Sequence, residues 1–143
     1  MGVDGGKALA PGLGIDITEV ERIRGLAERQ PRALERLFTP TELHDAGQGV
    51  QRAARLAARF AGKEALIKAA GGLYQSTYHD IEIRRRPGLS PSVSVSGPLG
   101  AWLQEQRLTV KLSLSHERQF AVAMVLLVPQ DKEGDARATN MDA

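Results

Sequence analysis

The sequence predicts an α+β fold, and three observations carry that prediction. Apolar residues alternate with small or polar ones at 13–17 and 110–115, and the mostly apolar run 120–128 follows, which is strand patterning at both ends of the chain. Between them, residues 50–70 read as one long helix closed by Gly71-Gly72, a common helix stop. The remaining segments are short and punctuated by Pro and Gly, as expected of a single domain of 143 residues with a modest core.

Each element has a local reason. Leu13, Ile15 and Ile17 alternate with Gly14 and Asp16, giving a short strand over about 12–17 with one apolar face. Gly14 leaves room there for a ligand or another backbone. A helix follows from about Thr18, a candidate cap, to Arg29, and Pro31 breaks it before a second turn that carries Leu34 and Leu37 inward. Thr39-Pro40-Thr41-Glu42 reads as the cap and first turn of another short helix. After the long helix come a strand at Ile81–Ile83, a Pro/Gly loop at Pro87–Pro91 and a strand at Val93–Val95. A short helix after Pro98 is expected to bury Trp102. Strands Thr109–Ser115 and Phe120–Val128 then form a hairpin turning at His116-Glu117-Arg118. The domain is expected over 11–128, with 1–10 flexible and 129–143 a disordered polar tail.

Composition excludes several classes. With no cysteine, the chain has no disulfide, iron–sulfur or thiolate–zinc chemistry, and this fits a reducing cytoplasm. His44, His79 and His116 are too scattered for a zinc motif. No apolar run approaches the roughly 20 residues of a membrane span, and there is no signal-peptide stretch, so neither membrane insertion nor export is expected. Net charge is only +2 but clustered. Residues 22–36 hold five arginines against two glutamates, and 52–68 hold five cations against Glu64. Such surface suits an anionic partner. With aromatics at 4% and no docking motif, nucleic acid is the weaker choice over a nucleotide or an acidic protein.

The densest chemistry lies on the long helix. Arg52, Arg55, Arg59 and Lys63 follow at steps of three, four and four, so they share a face, while Glu64 and Lys68 form the neighbouring row. A cationic row beside one carboxylate suits a polyphosphate held with a divalent metal. It also suits a solvated amphipathic helix. Asp16, at the end of the first strand, is a second carboxylate far away in sequence. His116 falls where a strand ends and the chain turns, with Ser113 and Ser115 beside it.

Taken in order, "GLGIDITEVERI", "RFAGKEALIKA" and "LSLSHERQFAVA" resemble the holo-[acyl-carrier-protein] synthase family, the single-repeat 4′-phosphopantetheinyl transferases, over about residues 11–128. There is no internal repeat, unlike the tandem class of these enzymes. The resemblance implies a long helix packed on a small antiparallel sheet and a homotrimer with sites between subunits. It implies transfer of 4′-phosphopantetheine from coenzyme A to a serine of apo acyl carrier protein, with release of adenosine 3′,5′-bisphosphate. It makes Asp16 and Glu64 ligands of Mg²⁺ and sets Lys68 at the reacting phosphate. Arg59, Lys63, Ser115 and His116 then hold the other phosphates, and Glu64 (through water) or His116 takes the serine proton. Arg22, Leu26, Arg29, Arg32 and Arg36 correspond to the family's carrier-protein surface. The pathway is fatty-acid or polyketide synthesis, and a catalytically inactive carrier-binding homologue is the alternative. Two departures stand out. The family's Gly-basic-Pro loop reads Pro87-Gly88-Leu89-Ser90-Pro91 here, and Gly62 replaces a usual alanine.

Overall fold

The structure is a computed structural model that describes residues 12–130. Its order is β1 (Leu13–Glu19), α1 (Val20–Arg29), α2 (Pro31–Leu37), α3 (Pro40–Asp45), α4 (Arg52–Ala70), a 3₁₀ turn (Tyr78–Asp80), β2 (Ile81–Arg84), β3 (Ser92–Val95), α5 (Gly97–Glu105), β4 (Leu108–His116) and β5 (Phe120–Pro129). Strands β1, β5 and β4 form an antiparallel sheet in that order, and β2 pairs with β3 in a separate ribbon. The long helix α4 packs across the larger sheet, in the α+β arrangement expected from the sequence. The start expected to be flexible and most of the expected tail lie outside the described residues, although β5 reaches Pro129, one residue into the expected tail. Among the described residues no helix is long and apolar enough to cross a membrane.

Helix α4 is nearly surrounded, which explains its composition. Ala54, Ala57, Ala58, Ala61, Ala65 and Ala70 are buried along it with Leu56, Phe60 and Leu66. Alanine is both the best helix former and small enough for neighbours to pack close. The sheet meets it with Ala121, Ala123, Val125 and Leu127 of β5 and with Gly14 of β1. A Cβ on Gly14 would lie 1.9 Å from the Ala65 carbonyl oxygen, so backbone touches backbone. At its far end α4 stops on Gly71, whose φ of +84° is the left-handed cap.

The alternation of β1 is real, but its apolar face points away from α4. Leu13, Ile15 and Ile17 are 64%, 57% and 63% exposed. Across the ladder they stand opposite Leu126, Met124 and Val122, which makes one continuous apolar face on the outer side of the sheet. Other local expectations shift for simple reasons. Pairing with β5 continues to Glu19 opposite Phe120, so β1 runs through Thr18, whose hydroxyl donates to Asp16 instead of capping α1. In α5 it is Leu99 and Leu103 that are buried, while Trp102 is half-buried and stacks on Tyr74. Thr39 and Glu42 form a full capping box at the start of α3.

Gly14→Ala is expected to destabilise the fold by about 3 kcal/mol in urea unfolding, the upper end for overpacking against an immovable carbonyl. At Gly62 the Cβ position lies 2.5 Å from the Ile83 Cδ1 methyl, which can swing aside. There the helix-propensity gain of about 1 kcal/mol offsets the crowding, and Gly62→Ala is expected to change stability by less than about 1 kcal/mol.

Candidate active site

The site begins with that glycine-lined contact. Residues 12, 14 and 16 share one face of the β1 segment. Gly12 lies against the Ala69 carbonyl and Gly14 against that of Ala65. Asp16 is the first of the three with a side chain, and it reaches the flank of α4. Lys68 Nζ donates to Asp16 Oδ1 at 3.2 Å and to the Ile15 carbonyl at 3.1 Å, while Thr18 Oγ1 donates to Asp16 Oδ2 at 2.9 Å. Glu64, one helical turn before Lys68, accepts a 2.9 Å hydrogen bond from the Tyr78 hydroxyl at Oε2. Burial, then the hydrogen bond and charge of Glu64, push the Tyr78 phenol up to about 12, and Asp16 adds to the effect. Tyr78 is therefore a proton donor throughout the neutral range, in a corner shared by both carboxylates.

Among the described residues no group of three or more His, Cys, Asp and Glu side chains forms a metal cage. Two carboxylates do fit Mg²⁺, which usually takes one or two from the protein and fills its shell with water and substrate phosphate. Asp16 and Glu64 are the residues that would hold it.

A second feature is cationic. A cleft of about 900 Å³ is lined by Arg55, Arg59, Arg85, Arg86, Ser113 and His116, with the loop Pro87–Pro91 along one side. Among the described residues its one carboxylate is Asp45, engaged by Arg84 at 3.1 Å. Arg59 is buried; its Nη1 donates to the Arg55 carbonyl at 3.0 Å, and its Nε has no hydrogen-bond partner among the described residues. Burial pulls the Arg59 guanidinium below its ordinary value. The His116 imidazole is lowered by burial and then by Arg85, Arg55 and Arg59. Cations crowded this way repel one another until an anion joins them. Ser115 does not line the cleft; it is exposed opposite Val122 on the sheet's outer side.

Lys63 corrects the sequence reading. It is fully buried, with Glu42 Oε1 at 2.6 Å, the Leu37 carbonyl at 2.8 Å, the Tyr78 carbonyl at 2.9 Å and the Phe38 ring 5.4 Å away. No donor is left for a phosphate. The residues at 52, 55, 59 and 63 do share a face, but the face starts at the surface and passes inside, so Arg55 is exposed while Arg59 and Lys63 are buried. Burial lowers the Lys63 pKa against the pull of Glu42. Glu42 is in turn fixed by the amides of Thr39 at 2.9 Å and Ile83 at 2.7 Å.

The arginine-rich segment divides. Arg29, Arg32 and Arg36 are exposed around a shallow hollow at the α1–α2 junction. Leu26 is half-buried against the core, and Arg22 lies over the Phe60 ring at 5.7 Å, nearer the Tyr78 corner. Arg85 and Arg86 are marked in the sequence only by the basic triplet Arg84-Arg85-Arg86. Tyr78 had none, since its contact depends on an unforeseen 3₁₀ turn.

Comparison with known proteins places the chain in a family. The family profile for the 4′-phosphopantetheinyl transferase superfamily matches residues 12–125. The holo-[acyl-carrier-protein] synthase of Desulforudis audaxviator is 43% identical over 121 residues, covering 82% of this chain and 92% of that protein. That of Frankia alni is 39% identical over 118 residues, covering 80% and 94%. The crystal structure of the Bacillus anthracis holo-(acyl-carrier-protein) synthase in complex with CoA (3′,5′-ADP) superposes with a TM-score of 0.69 at 33% identity, covering 83% of this chain and 96% of that one. The chain belongs to the 4′-phosphopantetheinyl transferase superfamily, and within it to the holo-[acyl-carrier-protein] synthase family.

Because Lys63 neutralises a buried glutamate, Lys63→Met is expected to lower stability by about 3–5 kcal/mol in denaturant titration, the range for orphaning a buried charge.

Proposed function

We propose that this protein transfers 4′-phosphopantetheine from coenzyme A to a serine of an apo acyl carrier protein, releasing adenosine 3′,5′-bisphosphate, in the cytoplasm and in support of fatty-acid or polyketide synthesis. The observation that carries the reading is the cleft of four arginines and His116, with a buried Arg59 Nε that has no partner among the described residues, in a chain that also pairs Asp16 with Lys68 beside Glu64. Coenzyme A combines a pyrophosphate with a separate 3′-phosphate, so it needs several cations at once. The complex of the Bacillus anthracis relative supports the same ligand class.

The serine oxygen forms a bond to the phosphorus that bears the pantetheine arm, its proton passing to Glu64 through water or to His116, and the bridging bond of the pyrophosphate breaks so that adenosine 3′,5′-bisphosphate leaves. This chemistry depends on positioning and charge stabilisation more than on covalent help from the protein. Mg²⁺, held by Asp16 and Glu64, would neutralise charge on the pyrophosphate oxygens. Lys68, already reaching into that corner, adds a positive charge beside the breaking bond. Arg55, Arg59, Arg85 and Arg86 bind the nucleotide phosphates, and Arg29, Arg32 and Arg36 meet the acidic carrier, steering its approach.

None of Asp16, Glu64 and Lys68 lines the cationic cleft. In this reading the two are joined by a neighbouring subunit of a homotrimer. The outer apolar face of Leu13, Ile15, Ile17, Met124 and Leu126 supplies the contact.

The test is intact-mass measurement of an apo carrier protein incubated with enzyme, coenzyme A and Mg²⁺, with EDTA as the control. One added phosphopantetheine arm, lost with EDTA, is expected; no gain on several unrelated carriers would overturn the reading. Asp16→Asn and Glu64→Gln are expected to cut turnover at least about 100-fold while the fold survives.

His116 adds a pH signature. Its pKa is lowered in the free protein, and a bound polyanion offsets the arginines and raises it again, so binding takes up a proton. Coenzyme A affinity should therefore increase as pH falls from 8 toward 6, and His116→Ala should flatten the profile in calorimetry.

A further inference from the structure

We infer that Tyr78 is a positioning residue for Glu64, its hydroxyl holding one carboxylate oxygen so that the other faces the metal and phosphate; this rests on the function proposed above.

Tyr78 is gripped at both ends by consecutive residues of α4. Lys63 Nζ donates to its main-chain carbonyl at 2.9 Å, and Glu64 accepts its phenol proton at 2.9 Å. The buried Lys63–Glu42 pair thereby locates the backbone of the 3₁₀ turn relative to the helix that carries Glu64. The turn itself is closed by a capping box, with the Thr77 amide donating to Asp80 Oδ2 at 2.9 Å. The ring is fixed by Phe60, centroid to centroid 5.9 Å.

A phenylalanine would keep every one of these ring and backbone contacts. The hydroxyl is additional to the packing, and the hydrogen bond described for it is the one to Glu64. Glu64 is only half-buried, so water could satisfy its charge. The tyrosine therefore does not rescue a buried carboxylate; it selects one orientation of a side chain that otherwise samples several rotamers. Asp16 is also fixed by neighbours, though at both oxygens, Oδ2 by Thr18 and Oδ1 by Lys68. Partners that orient ligand carboxylates in this manner commonly change metal affinity 10–100-fold when removed.

The test compares wild type, Tyr78→Phe and, as control, Tyr74→Phe, whose hydroxyl donates to the Ala70 carbonyl away from the carboxylates. Mn²⁺ binding to the coenzyme A complex is followed by electron paramagnetic resonance, alongside carrier modification at varied Mg²⁺ and thermal unfolding. Tyr78→Phe should bind Mn²⁺ about 10-fold or more weakly and need correspondingly more Mg²⁺ for half-maximal transfer. Its melting temperature and its KM for coenzyme A at saturating Mg²⁺ should match wild type, and Tyr74→Phe should leave Mn²⁺ binding unchanged. Wild-type Mn²⁺ affinity in Tyr78→Phe overturns the proposal, as does a loss of metal binding accompanied by an equal loss of stability and coenzyme A affinity. A wild-type protein that neither binds Mn²⁺ nor modifies any carrier overturns the functional reading itself.

Discussion

The structure depends on one contact, the backbone of β1 pressed against the backbone of α4. Gly12 and Gly14 make it possible, because a methyl group at either position would overlap a helix carbonyl. With no side chains between them, strand and helix are fixed at a separation set by main-chain atoms. A rotamer change cannot alter it. Asp16 inherits that precision two residues further along, where Lys68 reaches it from the same helix. The alanine-rich core of α4 has the same origin, since a helix approached this closely on several sides tolerates little bulk.

Charge in this protein is sorted by what lies above it. Lys63 and Arg59 sit one turn apart on one helix face, yet one is saturated by Glu42 and two carbonyls, while the other keeps a nitrogen with no partner among the described residues and lines a cleft. The first makes a rigid internal joint; the second retains capacity for an anion. The contrast follows from a single difference, the packing of α3 and the 3₁₀ turn over residue 63.

Much of this was legible in the sequence. The strands announced themselves by alternation, α4 by its length and Gly-Gly stop, and the close approach at Gly14 by a glycine in a strand. The same evidence misled wherever burial decided the matter. Helical spacing places Lys63 on a face but is silent about what covers it. Alternation marks Leu13, Ile15 and Ile17 as one face without saying which face meets α4, and an apolar row facing outward is opposite to the usual expectation. Thr18 has the chemistry of a cap, but the ladder to β5 outlasts it. Arg85 and Arg86 are two residues in a basic triplet until the fold brings them beside Arg55 and His116, where they line the same cleft as the Pro87–Pro91 loop.

The sheet order has a consequence for how the protein is made. Among the described residues β1 lies at the edge of its sheet with β5 as its one neighbour, Asp16 standing opposite Ala123. Nearly the whole domain must be synthesised before that ladder can close, and such long-range pairing is slow because loop closure must precede any reward. During translation α4 emerges long before its covering strand, with its alanine face open to water or to chaperones. The strand that carries Asp16 therefore gains its ladder last, and a chain interrupted before β5 holds Asp16, Glu64 and Lys68 beside a β1 that lacks its strand partner.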